Sequence, residues 1–196
     1  MGDVYVNDAF GSWQPHASTY DTTMQLPSYA GFLMQKELAH LRSVLSPEQP
    51  FVAVVAGAKY DTKIGPLRAI YEKVDHLILG GVIYTTYLSA KYGIRVAGVS
   101  DDDVRAAKSL VARDKQAGKI IELPVVVESD ILGEPQEGKC RKVHIKDFRP
   151  GAKYNYFLDI APESFEAENV MAAIGSAKTI FVNAVMGFTP YFCEGS

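Results

Sequence analysis

From Phe51 onward the chain alternates strand-length apolar runs with segments of helical periodicity, and this alternation restricts the fold more than any other feature. Phe51–Val55 and 76–79 are too short to be buried helices and too continuous to be half-exposed strands, whereas 62–74 and 82–92 carry apolar residues at three-and-four spacing. A short apolar segment follows at 94–99, then a helix over 101–116 and a strand over 120–128. Ser100 with Asp103 forms a helix-start pair, and Gly118 supplies a helix stop. Residues 129–151 are polar and turn-rich around a short strand at 142–145; a strand at 156–158, a helix over 162–175 and a strand at 179–183 close the pattern. Repeated strand–helix–strand units demand right-handed crossovers and parallel strands. The expected fold is therefore α/β: three layers, a mainly parallel open sheet with helices on both faces, Rossmann-like and incomplete at both ends.

Upstream of this pattern lie a short strand at 4–6, an aperiodic aromatic loop over 11–27, and a helix from Ser28 to Leu45 that carries Leu33, Met34, Leu38 and Leu41 on one stripe. Ser46-Pro-Glu-Gln-Pro50 must end it, because two prolines cannot continue a helix. The expected organisation is thus 1–27, 28–45 and 46–196.

The 196 residues carry 47% hydrophobic side chains and a net charge of −3, enough for a substantial core and without the basic field that duplex DNA or an anionic membrane requires. No apolar run reaches the length of a membrane span. Cys140 and Cys193 lack the spacing of a zinc site or a disulfide framework and read as free thiols of a reducing compartment.

In open parallel sheets ligands bind beyond the carboxyl ends of the strands. Three strands here end in Ala56-Gly-Ala-Lys59, in Gly80-Gly81, and in Asn183-Ala-Val-Met-Gly187. Lys63 follows Lys59 by four residues; if it opens a helix, two ammonium groups meet backbone N–H groups in one volume, an arrangement that attracts phosphate. On spacing alone the pair reads more readily as an ordinary turn with two solvated lysines. Gly80 and Gly81 either admit a flat ligand or merely make a tight turn.

Several segments, in order and over nearly the whole chain, resemble phosphoglycerate kinase. Asp3-Val-Tyr-Val-Asn-Asp-Ala-Phe-Gly11 and His16-Ala-Ser-Thr19 are similar to the end of that family's amino-terminal domain, and Leu26-Pro-Ser-Tyr-Ala-Gly-Phe-Leu-Met-Gln-Lys-Glu-Leu38 to its interdomain helix. The lysine loop, Leu79-Gly-Gly81, Leu158-Asp-Ile-Ala-Pro-Glu-Ser164 and Val182-Asn-Ala-Val-Met-Gly187 match landmarks of its nucleotide domain. The resemblance implies a remnant of the substrate domain over 1–27, the interdomain helix over 28–45 and a truncated nucleotide-binding domain over 46–196. It implies phosphoryl transfer between 1,3-bisphosphoglycerate and ADP in glycolysis, in the cytoplasm, by a family whose full-length members are usually monomeric. Lys59 would neutralise the phosphoryl group in flight and Lys63 hold nucleotide phosphate. Gly57 and Ala58 would approach the nucleotide through backbone, Gly80, Gly81 and Leu158 would border the adenine, and Asn183 would touch phosphates or sugar. His16 would face the phosphoglycerate, although a lone loop histidine is more often structural or solvated. Mg-ATP and Mg-ADP are the implied ligands, the magnesium held mainly through the nucleotide, with no side chain assigned as a metal ligand.

The chain also departs from the family. Gln14 stands nearest a family arginine, and a neutral amide cannot replace a bidentate guanidinium. Val82 replaces the third glycine of a Gly-Gly-Gly turn, Ala56 the first glycine of the lysine loop, and Ala184-Val185 the Gly-Pro after Asn183. The ribose-binding glutamate has no counterpart within Phe188-Thr-Pro-Tyr191, and Glu194 comes too late. Three readings follow: an enzyme fragment with negligible turnover alone; a non-catalytic nucleotide-binding or scaffold protein derived from the same fold; or a general doubly wound nucleotide binder unrelated to glycolysis, which leaves the amino-terminal matches unexplained.

Overall fold

A computed structural model describes residues 2–12, 14–58, 64–133 and 140–187. The chain divides into two compact units, Met1–Pro47 and Glu48–Ser196.

In the first unit β1 (Tyr5–Asn7) pairs in parallel with β2 (Ser28–Ala30), and α1 (Phe32–Ser43) follows. The helix thus begins four residues later than its periodicity suggests. The backbone of 28–30 is drawn into the strand pair instead, and Gly31 N–H donates to the Asn7 carbonyl at 2.8 Å. Asp8 then caps the helix from outside, its Oδ1 accepting from the Met34 N–H at 2.9 Å. Ala30, inside the expected helix, belongs to β2.

The second unit centres on a four-stranded parallel sheet. Its strands are β3 (Phe51–Val55), β4 (His76–Leu79), β6 (Ile120–Ile121) and β11 (Thr179–Asn183), in the order β11-β3-β4-β6. Register is continuous: Val52 lies opposite both Ile180 and His76, and Val55 opposite both Asn183 and Leu79. Phe51, Val52, Ala53, Leu77 and Leu79 are fully buried, the result expected of central parallel strands covered on both faces. Helices α2 (Ile64–Lys73), α3 (Gly81–Tyr92) and α4 (Asp101–Ala117) connect the strands. Ser100 caps α4 by accepting from the Asp103 N–H at 3.1 Å, and Gly118 ends it in the left-handed region, as the sequence predicts.

α4 carries a buried carboxylate. Asp114 Oδ1 accepts from Tyr71 Oη at 2.8 Å and from the backbone N–H groups of Lys119 and Ile120, while Oδ2 accepts from Tyr87 Oη at 3.3 Å. Four donors offset the cost of removing the charge from water. The hydroxyls in turn resist ionisation: burial, then the Asp114 carboxylate, push Tyr87 well above the usual phenol value, and burial pushes Tyr84 up likewise.

The strand expected over 120–128 is two strands in two sheets. Pro124 has no N–H to continue the ladder. β6 stays in the parallel sheet, whereas β7 (Val125–Ser129) leaves it for an antiparallel sheet of order β10-β7-β8, with β8 (Cys140–His144) and β10 (Tyr156–Ile160). Tyr84 Oη holds the corner by donating to the Leu123 carbonyl at 2.9 Å. Ser164 Oγ accepts from the Val125 N–H at 2.9 Å and donates to the Val125 carbonyl at 3.0 Å. This engagement breaks the helix expected over 162–175 into a 3-10 turn, Pro162–Ser164, and α5 (Glu168–Ser176). A two-residue parallel pair joins β5 (Arg95–Val96), which precedes α4, to β9 (Lys153–Tyr154), which precedes β10. Cys140 is disulfide-bonded, which corrects its reading as a free thiol.

Candidate nucleotide site

The loops after β3, β4 and β11 are hydrogen-bonded to one another. Ala56 N–H donates to the Asn183 carbonyl at 2.9 Å, Gly80 N–H to the Val55 carbonyl at 3.0 Å, Gly81 N–H to the Met186 carbonyl at 3.0 Å, and Val82 N–H to the Gly57 carbonyl at 3.0 Å. Close approach is what makes the glycines necessary. Gly81 has φ +57, and a Cβ there would sit 2.8 Å from the Gly57 oxygen; a Cβ on Gly80 would strike Met186 and come within 2.9 Å of the Ala56 methyl. Ala184 holds φ 68, the one left-handed non-glycine among the described residues.

These loops wall a cavity of about 500 Å³ at the carboxyl ends of the strands. Of the residues expected to meet the nucleotide, Gly57, Ala58, Gly81 and Leu158 line it. Gly80 and Asn183 stand behind, binding the walls together through their backbones. Lys59 and Lys63 lie outside the described residues. His16 belongs to the other unit, where it organises a local turn: its N–H donates to Thr19 Oγ1 at 3.0 Å and its carbonyl accepts from the N–H groups of Thr19 and Tyr20.

Sequence reasoning missed the far wall, formed by Gly98, Tyr156, Phe157 and Thr85. Phe157 is held by stacking on Phe148, with ring centroids 5.8 Å apart and planes 7° apart. The aromatic run around Tyr154-Asn-Tyr-Phe157, next to the expected Leu158, was the available signal. Val82, Ala184 and Val185 also line the cavity, so three of the side chains that depart from the family pattern reach it.

None of the described lining side chains is charged. The cavity can therefore take a flat apolar or heteroaromatic ring, sandwiched between glycine backbone and the Leu158 side. It cannot by itself neutralise phosphates. The N-terminus of α3 does not supply that charge, because its first two N–H groups are already bonded to Met186 and Gly57. Ala58 at the cavity rim precedes Lys59 and Lys63 in the sequence, and α2 follows them. Among the described residues no group of three or more His, Cys, Asp or Glu side chains is placed to hold a metal, and no helix is long and apolar enough to cross a membrane.

The model of the phosphoglycerate kinase family matches residues 1–196. The chain is 39% identical over 192 residues to phosphoglycerate kinase of Chloroflexus aurantiacus, an alignment that covers 95% of this chain and 46% of that protein. It is 40% identical over 202 residues to the enzyme of a Roseiflexus species, covering 100% of this chain and 49% of the relative. The solved phosphoglycerate kinase of Coxiella burnetii superposes with a TM-score of 0.74 at 28% identity, over 94% of this chain and 47% of that one. The chain spans about half the length of the relatives it matches. Its mainly parallel α/β fold, its strand-end cavity and its sequence together make it a member of the phosphoglycerate kinase family.

Proposed function

We propose that residues 46–196 form the nucleotide-binding part of a phosphoglycerate kinase, residues 28–45 its interdomain helix, and residues 1–27 the end of its substrate domain. The supporting observation is the neutral cavity at the rim of β3, β4 and β11, whose lining residue Ala58 immediately precedes Lys59 in the sequence. Adenine of ADP or ATP occupies this cavity between the Gly57-Ala58 and Gly80-Gly81 turns on one side and Leu158 on the other. Because the α3 N-terminus is spent on carbonyls, the phosphates extend towards Lys63, with Asn183 close to the phosphates or sugar. Lys59 neutralises charge on the phosphoryl group as it passes between 1,3-bisphosphoglycerate and ADP, a reaction that needs positioned positive charge more than a nucleophile. Magnesium enters with the nucleotide and shields its phosphates. His16 contributes to the phosphoglycerate side in a complete enzyme, which works in glycolysis in the cytoplasm as a monomer.

A polypeptide of residues 1–196 alone binds nucleotide and turns over negligibly. Two measurements test this together. Amide hydrogen exchange with and without MgADP should show slower exchange along the Gly57, Gly81 and Val82 turns, and a coupled ATP assay should stay at background. Unchanged exchange at those turns, or normal turnover, contradicts the reading.

A further inference from the structure

A second, smaller cavity of about 180 Å³ opens between α2 and α4, away from the strand rim. Its floor is apolar: Tyr71 is 2% exposed and Leu110 4%. Its walls are Arg68 from α2, and Ser109 and Arg113 from α4. Arg68 Nη2 donates to Ser109 Oγ at 3.0 Å, and Ser109 Oγ in turn donates to the Ala106 carbonyl at 2.9 Å. A neutral hydroxyl is a weak acceptor for a guanidinium, and it engages one of five N–H donors. No described carboxylate lies within ion-pair distance of Arg68.

Arg113 is fixed from two sides. Its guanidinium carbon lies 5.7 Å from the Tyr71 ring centroid, and it pairs with Glu72. Lys119 adds a third cation, with Nζ 5.4 Å from the same ring and 3.1 Å from the Tyr71 carbonyl. Against these three charges stand Glu72 and Asp114, and both Asp114 oxygens are taken by hydroxyl and backbone donors. The chain as a whole carries a net charge of −3, so a local positive surplus around one apolar-floored cavity is a specific feature.

We propose that this cavity binds a small oxyanion, either inorganic phosphate or the phosphate of a compact monoester. Arg68 and Arg113 are the charged donors and Ser109 positions Arg68. Two guanidinium forks on neighbouring helices match the oxygens of a tetrahedral anion. At about 180 Å³ the cavity has room for the anion, while a nucleotide belongs in the larger site.

The test is a residue-resolved NMR titration of the 196-residue chain with inorganic phosphate and, separately, methyl phosphate, at ionic strength held constant with chloride. Saturable shifts are expected at the Leu67, Ser109 and Leu110 amides. Arg68→Ala and Arg113→Gln should each raise the dissociation constant about tenfold, with the Gly81 and Val82 amides reporting the nucleotide site independently. Both arginines are exposed, so both variants should retain the wild-type far-ultraviolet spectrum. Binding of phosphate alone identifies the free ion, and comparable binding of methyl phosphate admits a monoester. Shifts that grow linearly with concentration, or saturation with an unchanged constant in both variants, overturn the proposal.

Discussion

The backbone N–H of Val82 donates to the carbonyl oxygen of Gly57 at 3.0 Å, so the helix that follows β4 is capped by the loop that follows β3. A helix start that elsewhere serves as an anion site is here part of the wall. In the proposed site, base and phosphates are thereby separated: the ring would sit against neutral backbone, and the charge would come from Lys59 and Lys63.

This cap depends on the left-handed turn at Gly81. An added methyl would meet the Gly57 oxygen at 2.8 Å while forcing an L side chain to φ +57. Gly81→Ala should cost about 1–3 kcal/mol. Urea unfolding reads this as a lower midpoint, and a wild-type midpoint would show that the turn is not held as described.

Ala184 offers the opposite change. It occupies φ 68 at the cavity rim, where glycine is relaxed and alanine is strained. Ala184→Gly should raise stability by about 0.5–1 kcal/mol, seen as a higher urea midpoint with an unchanged slope. A fall in midpoint would mean that neighbouring contacts, not backbone strain, dominate there.

Asp114 is the polar anchor of α4, with four donors converging on a side chain that is nearly inaccessible. Asp114→Ala leaves two tyrosine hydroxyls and two N–H groups without their acceptor and should cost about 3–5 kcal/mol. Chemical denaturation measures this; a loss below about 1 kcal/mol would show that the network contributes little.

Two buried tyrosines, Tyr87 of this network and Tyr84 bonded to the Leu123 carbonyl, fix an alkaline limit. Tyr84 and Tyr87 have folded values raised above the ordinary 10.0, chiefly by burial. A raised value means that the unfolded chain loses these protons first. The stabilisation is complete below about pH 10 and is lost as pH climbs towards the folded values. Tyrosinate absorbance from these residues should therefore appear together with unfolding, and Tyr87→Phe should flatten the loss of stability. Ionisation of all tyrosines at the ordinary value in a still-folded chain would contradict this.

Much of the second unit was legible because its central strands β3 and β4 are buried on both faces, and because the edge strand β11 keeps an apolar run although Ile180 and Val182 are exposed. Phe51–Val55, His76–Leu79 and Thr179–Asn183 stand out as short apolar runs, and the ends of α4 are written in Ser100 and Gly118. The division of 120–128 was signalled by Pro124, yet which sheet each piece joins depends on Tyr84 and Ser164, which lie 39 residues away from their partners. The aromatic wall at Phe157 depends on Phe148, and the Arg68–Arg113 pair on the packing of two helices. The aromatic run at 154–157 is a local signal for the wall, but its support by Phe148 and the pairing of the two arginines have none. At β2, helical spacing lost to a strand pairing whose partner lies more than twenty residues upstream.

The central claim is that this chain carries a nucleotide site whose phosphate end is the lysine loop. Calorimetric titration of the 196-residue chain with MgADP, wild type beside Lys63→Ala, tests it most directly. The expected result is saturable one-to-one binding that weakens about tenfold or more in the variant, the loss of a charge-assisted phosphate contact. No measurable binding by the wild type, or the same affinity in Lys63→Ala, would contradict it.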